Sequence, residues 1–558
     1  MTIGKIMAGF ALLVAGLLQA EEFQVSKVIH PVVEKLGPPE FYLDEPEMFA
    51  ISTSSEEASR HVKQGVALFN APWDFEAYRH FCAAAQNDPD CLMAYWGIVM
   101  SLSGNVSEFI TQRTAAAERL LDLLEAKPAV GVEIEQAYGL AAVRLISSGA
   151  GDAAETFLKA SERFPADRQS KLLGNFLMRD GYEPNGKPRI RQQTVNQEIR
   201  KLIEANGDRN ELLSFWIMSL SEAPAGAVDL KKDALPVARK LARLKPDFPP
   251  FQLMASHVEA RCGNASLAIG YALKARDLYA AYMKKQSVTV ADCGGWVRAQ
   301  VYLATLYTEK GDFTKALPIA KELAKLPLEK ERIYAKGSAL LLWEGRTLGA
   351  RLYASRTTMA SFDAGQALLD SLPKEQWFEE KSLVGTYRDG LVLYLAARKA
   401  LVNNDMKAAK GLHARIMKQG AAIASQRKLA RASSSYSEWF RAAANLGVLA
   451  SELQGLIAEK EEGGLKLAAA NWYRNAIDQQ ALPASLLPPS LPYPIEKRLA
   501  WFYIYQGKKQ EALEVALEGL KRRPNHLEML KVYKEVLSRL GQKEKAAQVQ
   551  KTIKLVSQ

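Results

Sequence analysis

Six histidines, four cysteines and one acidic-aromatic pair are the residues of this 558-residue chain whose types and spacing could do chemistry. The histidines are His30, His61, His80, His257, His413 and His526. His61 and His80 fall on the two helices of one expected hairpin, so their rings can meet. A metal there would need Cys82 and Asp74 as further ligands; two packed, hydrogen-bonded imidazoles are the simpler reading. The cysteines are Cys82, Cys91, Cys262 and Cys293, and no CxxC pair is among them, so the spacing does not match a zinc site. In an oxidising compartment an even count suggests disulfides, and proximity favours Cys82–Cys91 and Cys262–Cys293. Free buried thiols are the alternative. Trp73-Asp74 invites a glycosidase reading, which needs a pair of carboxylates. No second carboxylate stands out, and Asp74 at a helix start reads as an N-cap. The chain has no P-loop, no GxGxxG after a strand, no HExxH and no GxSxG. It therefore reads as a non-enzymatic protein with no cofactor and no metal.

The elements that must position these residues are helical hairpins. Ala77, Phe81, Ala84 and Pro89 read Ala-x3-Phe-x2-Ala-x4-Pro, and Ala153, Phe157, Ala160 and Pro165 repeat the string. Twelve positions before each first alanine stands another small residue, Gly65 and Ala141. Leu499, Ala500, Tyr503, Gly507, Ala512 and Pro524 keep these offsets near the C-terminus, and Leu303, Ala304, Tyr307, Gly311 and Ala316 keep them in the middle. This is the pattern of a helix-turn-helix repeat of about 34 residues. Gly65 and Ala77 let the two helices of a hairpin approach, Phe81 fills the space between hairpins, and Pro89 fixes the turn, where its missing N–H costs nothing. Ser54 or Ser55 is expected to cap a helix running to about Phe69, with Glu56 and Glu57 in the first turn. The expected fold is all-α: an α-α superhelix, a solenoid of helical hairpins preceded by an extended N-terminal segment.

Composition divides the chain further. Residues 1–20 have Lys5, an apolar run and Leu18-Gln19-Ala20, and read as a secretory signal peptide cut after Ala20. Residues 21–51 carry four prolines and no helical periodicity, and read as the extended segment. Residues 52–480 form the solenoid, with degenerate repeats. Within it, residues 331–353 read as one long helix, 383–402 and 406–419 as a hairpin, and 437–461 with 465–479 as another. Residues 481–494 hold five prolines and read as an ordered crossing, and 495–558 as a last repeat with its cap.

Residues 64–102, with Ala83-Ala84-Ala85, Asp88-Pro89-Asp90-Cys91 and Ala94-Tyr95-Trp96-Gly97, resemble the first repeat of a class of bacterial tetratricopeptide-repeat (TPR) proteins. The resemblance continues at Arg179-Asp180-Gly181-Tyr182, at Ala238-Arg239-Lys240-Leu241-Ala242 and near Pro524-Asn525. It departs where His61 and Gln64 replace the repeat's usual tryptophan and leucine. In such arrays the first helix of each unit lines a concave face. The resemblance thus implies a binding groove containing Trp96, Met100, Tyr138, Arg298, Thr305, Lys497, Trp501 and Tyr505. The alternative for Trp96 and Trp501 is packing between repeats.

The formal charge is +11, or +10 once Lys5 is removed, and the basic residues are spread along the chain. An exported chain is not expected to meet nucleic acid; the positive balance suits anionic partners such as acidic glycans. No segment after the signal is apolar enough to span a bilayer. These features point to an exported, periplasmic or secreted scaffold that binds a protein or peptide segment. Two alternatives are a glycan-binding cell-envelope protein and a helical-toroid glycoside-active enzyme.

Overall fold

The computed structural model describes residues 23–104, 108–183, 186–333, 335–373, 383–426, 436–461, 466–480 and 486–557. Among these residues the chain is helical from end to end, with no strand and two isolated bridges, Tyr182 to Pro188 and Ala225 to Val228. The fold is an all-α superhelix of hairpins. The signal expected in residues 1–20 lies outside the described residues. No described helix is long and apolar enough to cross a membrane.

The first hairpin shows why the repeat residues are what they are. Ser55 caps helix Glu56–Asn70, its hydroxyl accepting the Ala58 amide at 3.1 Å, with Glu56 and Glu57 in the first turn. Helix Asp74–Asn87 returns alongside it, and Leu92–Leu102 opens the next unit. Phe81 is fully buried between them. A Cβ on Gly65 would sit 2.7 Å from the Phe81 ring, and one on Gly97 only 2.1 Å away. The ring therefore occupies space that only glycine leaves on both sides. Phe157 is buried the same way in the unit containing Ala150–Arg163. At the C-terminal end, Ala500 and Ala512 are both fully buried across the hairpin Glu496–Tyr505 and Lys509–Arg522.

Two sequence expectations are corrected. Asp74 is the first residue of its helix, not the N-cap; Trp73 holds that position and makes no side-chain cap bond. The Asp74 carboxylate instead receives Lys336 Nζ at 2.6 Å. Residues 331–353 are not one helix. A short turn, Lys330–Arg332, precedes Lys336–Leu340, a π-helical turn Leu341–Gly345 and then Arg346–Ala354. Helix Lys336–Leu340 packs closely on the short turn Val290–Asp292: a Cβ on Gly337 would lie 1.9 Å from the Val290 carbonyl oxygen. Arg332 is also drawn into a buried cluster, donating to Glu108 and to both oxygens of Asp292, its Nη1 to Oδ2 at 2.9 Å. The π turn places Glu344 among arginines, as described below.

The superhelix closes on itself. Lys336 meets Asp74, and Asn525 Nδ2 donates to the Gly263 carbonyl at 2.9 Å; each pair is 262 residues apart. That separation is between seven and eight units of about 34 residues, so successive turns of the superhelix touch.

The N-terminal segment is built into the first turn. It makes two short helical turns, Val25–Val28 and Pro31–Glu34, and is otherwise extended. Buried side chains hold its main chain. Gln64 donates to the Leu43 carbonyl at 2.8 Å and accepts the amides of Tyr42 and Leu43. Tyr78 donates to the Val28 carbonyl at 2.8 Å, and Arg79 Nη2 to that of Gly37 at 2.7 Å.

Candidate functional site

The second extended stretch lies in the interior. Helices on several sides of residues 486–494 present arginines to its main chain. Arg441, on helix Tyr436–Lys460, donates through Nη2 to the Pro488 carbonyl at 2.9 Å. Arg351, on Arg346–Ala354, donates to the Ser490 carbonyl. Arg523, the C-cap of Lys509–Arg522, donates through Nη2 to the Leu491 carbonyl at 2.7 Å. All three guanidinium side chains are buried. Proline suits a stretch held this way, because it lacks an amide donor and offers only its carbonyl. Apolar anchors complete the hold. Leu486 and Leu487 belong to the core of the first superhelical turn, whereas Leu491 and Tyr493 belong to the core of the second. The proline-rich crossing thus joins two cores. Its residues 481–485 lie outside the described residues.

Charge is balanced behind the clamp. Glu344 Oε1 accepts Arg441 Nε at 2.8 Å, and its Oε2 lies 3.0 Å from Arg351 Nη2. Burial alone would push this carboxyl up, but the Arg441 and Arg351 charges prevail and hold it down at about 2. A second buried carboxylate, Glu452, accepts Tyr394 at 2.7 Å, Tyr493 at 2.8 Å and Arg498 Nε at 2.9 Å. It ties the end of the crossing to the helix wall.

Beside the clamped segment is a cavity of about 180 Å³. One wall is Pro488 to Leu491. The others come from Pro249–Arg261 and Gly294–Glu309 of the first turn and from Tyr436–Lys460 and Lys509–Arg522 of the second. Arg261, Arg441, Arg522 and Arg523 line it, against the acidic Glu309 and Asp478. His257 and Tyr302 face each other there through an imidazole-to-phenol hydrogen bond. Burial, then the Arg261 charge, lowers the His257 pKa to about 3, so the ring is neutral. Burial also raises the Glu309 carboxyl, with Arg523 opposing.

The residues expected to form a groove are not brought together. Trp96 and Tyr138 are fully buried, their rings 5.3 Å apart in an edge-on chain that runs from Phe81 to Phe157. They are the inter-repeat core: Phe81, which fills the space over Gly97, lies 6.0 Å edge-on from the Trp96 ring. Met100 is buried beside them at the edge of a shallow depression. Arg298 is half-buried in a smaller cavity near Asp74 and Lys336. Thr305 lines the arginine cavity, but its hydroxyl is spent on the Val301 carbonyl at 2.9 Å. Lys497, Trp501 and Tyr505 share one helix near the C-terminus. Lys497 pairs with Glu528 at 2.8 Å; Trp501 stacks on Tyr505 with ring centres 5.7 Å apart, and Tyr505 is 71% exposed.

The remaining histidine pair and the cysteines sit as follows. His61 Nδ1 and His80 Nδ1 are 2.9 Å apart, and His80 Nε2 faces the Glu40 carbonyl at 3.1 Å, so the pair braces the N-terminal segment. Among the described residues no three histidine, cysteine or carboxylate side chains are grouped to hold a metal. The proposed disulfides are corrected: all four cysteines are free and buried. Cys82 sits inside a helix with its thiol toward the Val28 carbonyl, while Cys91 ends the turn to the next helix. Cys262 and Cys293 lie at opposite ends of a long hairpin helix, Ala265–Gln286, and its flanking turns.

The clamp arginines were not among the expected site residues. Their signal was weak but present: Arg351 and Arg441 interrupt otherwise apolar helical stretches, Leu348-Gly349-Ala350 and Trp439-Phe440 with Ala442-Ala443-Ala444.

No protein-family model matches this chain, and no curated protein matches it. Among solved structures, the human IFIT1 dimer with m7Gppp-AAAA is similar at 10% identity and a TM-score of 0.33, covering 91% of this chain and 96% of that one. The human IFIT1 dimer with PPP-AAAA is similar at 12% identity and a TM-score of 0.29, covering 79% and 94%. The P58(IPK) TPR domain is similar at 13% identity and a TM-score of 0.19, covering 87% and 98%.

Proposed function

We infer that this protein is a non-enzymatic helical scaffold that holds an extended protein segment in its lumen. One observation carries the reading: three arginines from three separate parts of the superhelix bind the main-chain carbonyls of Pro488, Ser490 and Leu491. Bonds to main-chain oxygen do not read side-chain identity, so the same clamp accepts any segment that is extended and poor in competing donors. The N-terminal segment is held by the same chemistry, through Gln64, Tyr78 and Arg79. In this state the lumen is filled by the chain's own crossing, and a partner segment of similar character takes its place when the crossing withdraws. Export to a periplasmic or extracellular setting completes the reading; it rests on residues 1–20 and is checked by sequencing the N-terminus of the native protein.

A chain with residues 481–494 replaced by a Gly/Ser linker of equal length tests the proposal. It is first checked for native helical content, then titrated with a fluorescent peptide of residues 486–494. Saturable binding, weakened by Arg523→Met, is expected. A folded linker chain that binds no peptide would end the reading.

A further inference from the structure

The cavity beside the crossing has an unbalanced charge. Arg441 and Arg522 are matched: Arg441 by Glu344, and Arg522 by Glu496 at 3.0 Å and Glu518 at 3.1 Å. Arg261 is different. Its guanidinium donates to the main-chain carbonyls of Leu220, Ser221 and Ala223, and among the described residues no carboxylate pairs with it. Arg523 is ion-paired loosely with Glu309 at 3.6 Å, beyond hydrogen-bond contact, and also feels the Glu496 charge. A guanidinium does not give up its proton inside a protein, so both charges persist. Half-buried Arg261, which has no carboxylate partner among the described residues, and buried Arg523, whose Nη1 makes no hydrogen bond, therefore face one cavity beside Glu309, whose own ionisation burial opposes. A cation withdrawn from water and short of counter-charge is costly, and a bound anion is the direct means of meeting it.

Part of the wall is apolar. Leu306, Val448, Ile477 and Leu487 line the same cavity, with the prolines of the crossing. Its volume of about 180 Å³ exceeds the roughly 150 Å³ that accommodates a benzene ring. It is too small for a macromolecule and suits one head group with a short apolar body.

We propose that this cavity binds a small amphipathic anion, its carboxylate or phosphate head taken by Arg261 and Arg523 and its apolar body lying against Leu306, Val448, Ile477 and Leu487. The bidentate geometry of guanidinium suits either head. The inference goes beyond the segment-holding reading. It needs the crossing only as one wall, and it needs no protein partner.

Calorimetry on the full chain tests it, with benzoate and phenyl phosphate as probes and benzyl alcohol as the neutral control. One saturable site per chain is expected for at least one anion, and none for the alcohol at the same concentration; which anion binds tells carboxylate from phosphate. Arg261→Gln weakens binding by at least about tenfold, the effect of losing one charge-assisted bond. Glu309→Gln, which keeps the packing and removes the opposing charge, tightens it; this variant decides the matter if Arg261→Gln does not fold. Absence of binding by both anions, equal binding of the alcohol, or affinities unchanged by the variants would overturn the proposal. A failed peptide titration with intact anion binding would remove the segment-holding reading alone.

Discussion

Arg441 touches Pro488 and Glu344 with one guanidinium: Nη2 donates to the proline carbonyl at 2.9 Å while Nε donates to the carboxylate at 2.8 Å. The residue that grips the crossing is thus itself held by a buried anion on another helix. The carboxylate exists to position and neutralise two clamps, since Arg351 lies on its other oxygen.

Removing that carboxylate takes the counter-charge from two buried guanidiniums. Glu344→Ala is expected to cost about 3–5 kcal/mol, the range for breaking a buried ion pair by removing one member. Replacing Arg351, Glu344 and Arg441 together by apolar residues of similar volume should cost less than the single change. Urea unfolding of the two variants checks this.

Phe81 and its two glycines make a steric prediction. Gly97→Ala places a Cβ where the ring already lies, and is expected to destabilise by about 1–3 kcal/mol, the usual cost of overpacking. Phe81→Leu in the same chain should recover part of the loss. A double-mutant cycle from thermal unfolding reads the coupling.

The sequence pattern made these hairpins legible. Small residues at fixed offsets, a phenylalanine between them and a capping serine each act locally, so a single chain reveals them; the start of Glu56–Asn70 follows from those signals. What stayed hidden depends on contacts across the superhelix. Trp96 and Tyr138 sit on first helices, as the resemblance implied, but their burial in the ring chain from Phe81 to Phe157 depends on neighbouring units. The clamp needs Arg351, Arg441 and Arg523 brought from three distant stretches to one crossing, and nothing local marks that meeting. The cysteines misled because proximity in sequence was taken for proximity in space.

The His61–His80 pair sets a pH response. Burial, the largest influence, lowers the His80 pKa to about 3, and burial lowers that of His61 as well. A histidine in the unfolded chain takes up its proton near pH 6.5. Stability rises with pH wherever the unfolded state binds more protons, so the contribution of His80 is whole above about pH 6.5 and is lost as pH falls toward 3. The stability difference between wild type and His80→Gln should shrink by up to about 1.4 kcal/mol per pH unit across that window. Chemical denaturation at a series of pH values measures it, and a constant difference would contradict the burial of the ring.

The thiols make a separate prediction. Burial raises all four, Cys91 to about 12 and Cys262 to about 11, and the thiolate is the reactive form. A colorimetric thiol reagent should find no fast-reacting group in the native chain and four after unfolding in guanidinium chloride without reductant. Two or none after unfolding would mean that disulfides form.

The hold on the crossing is tested most directly by a distance. Pro489 and Tyr505 are both exposed, and the native thiols are buried, so Pro489→Cys and Tyr505→Cys can carry a pair of spin labels. Pulsed electron resonance on the doubly labelled chain should give one narrow distance distribution, broadened when Arg441→Met and Arg523→Met are added. A broad distribution in the labelled chain with all three arginines intact would contradict the clamp.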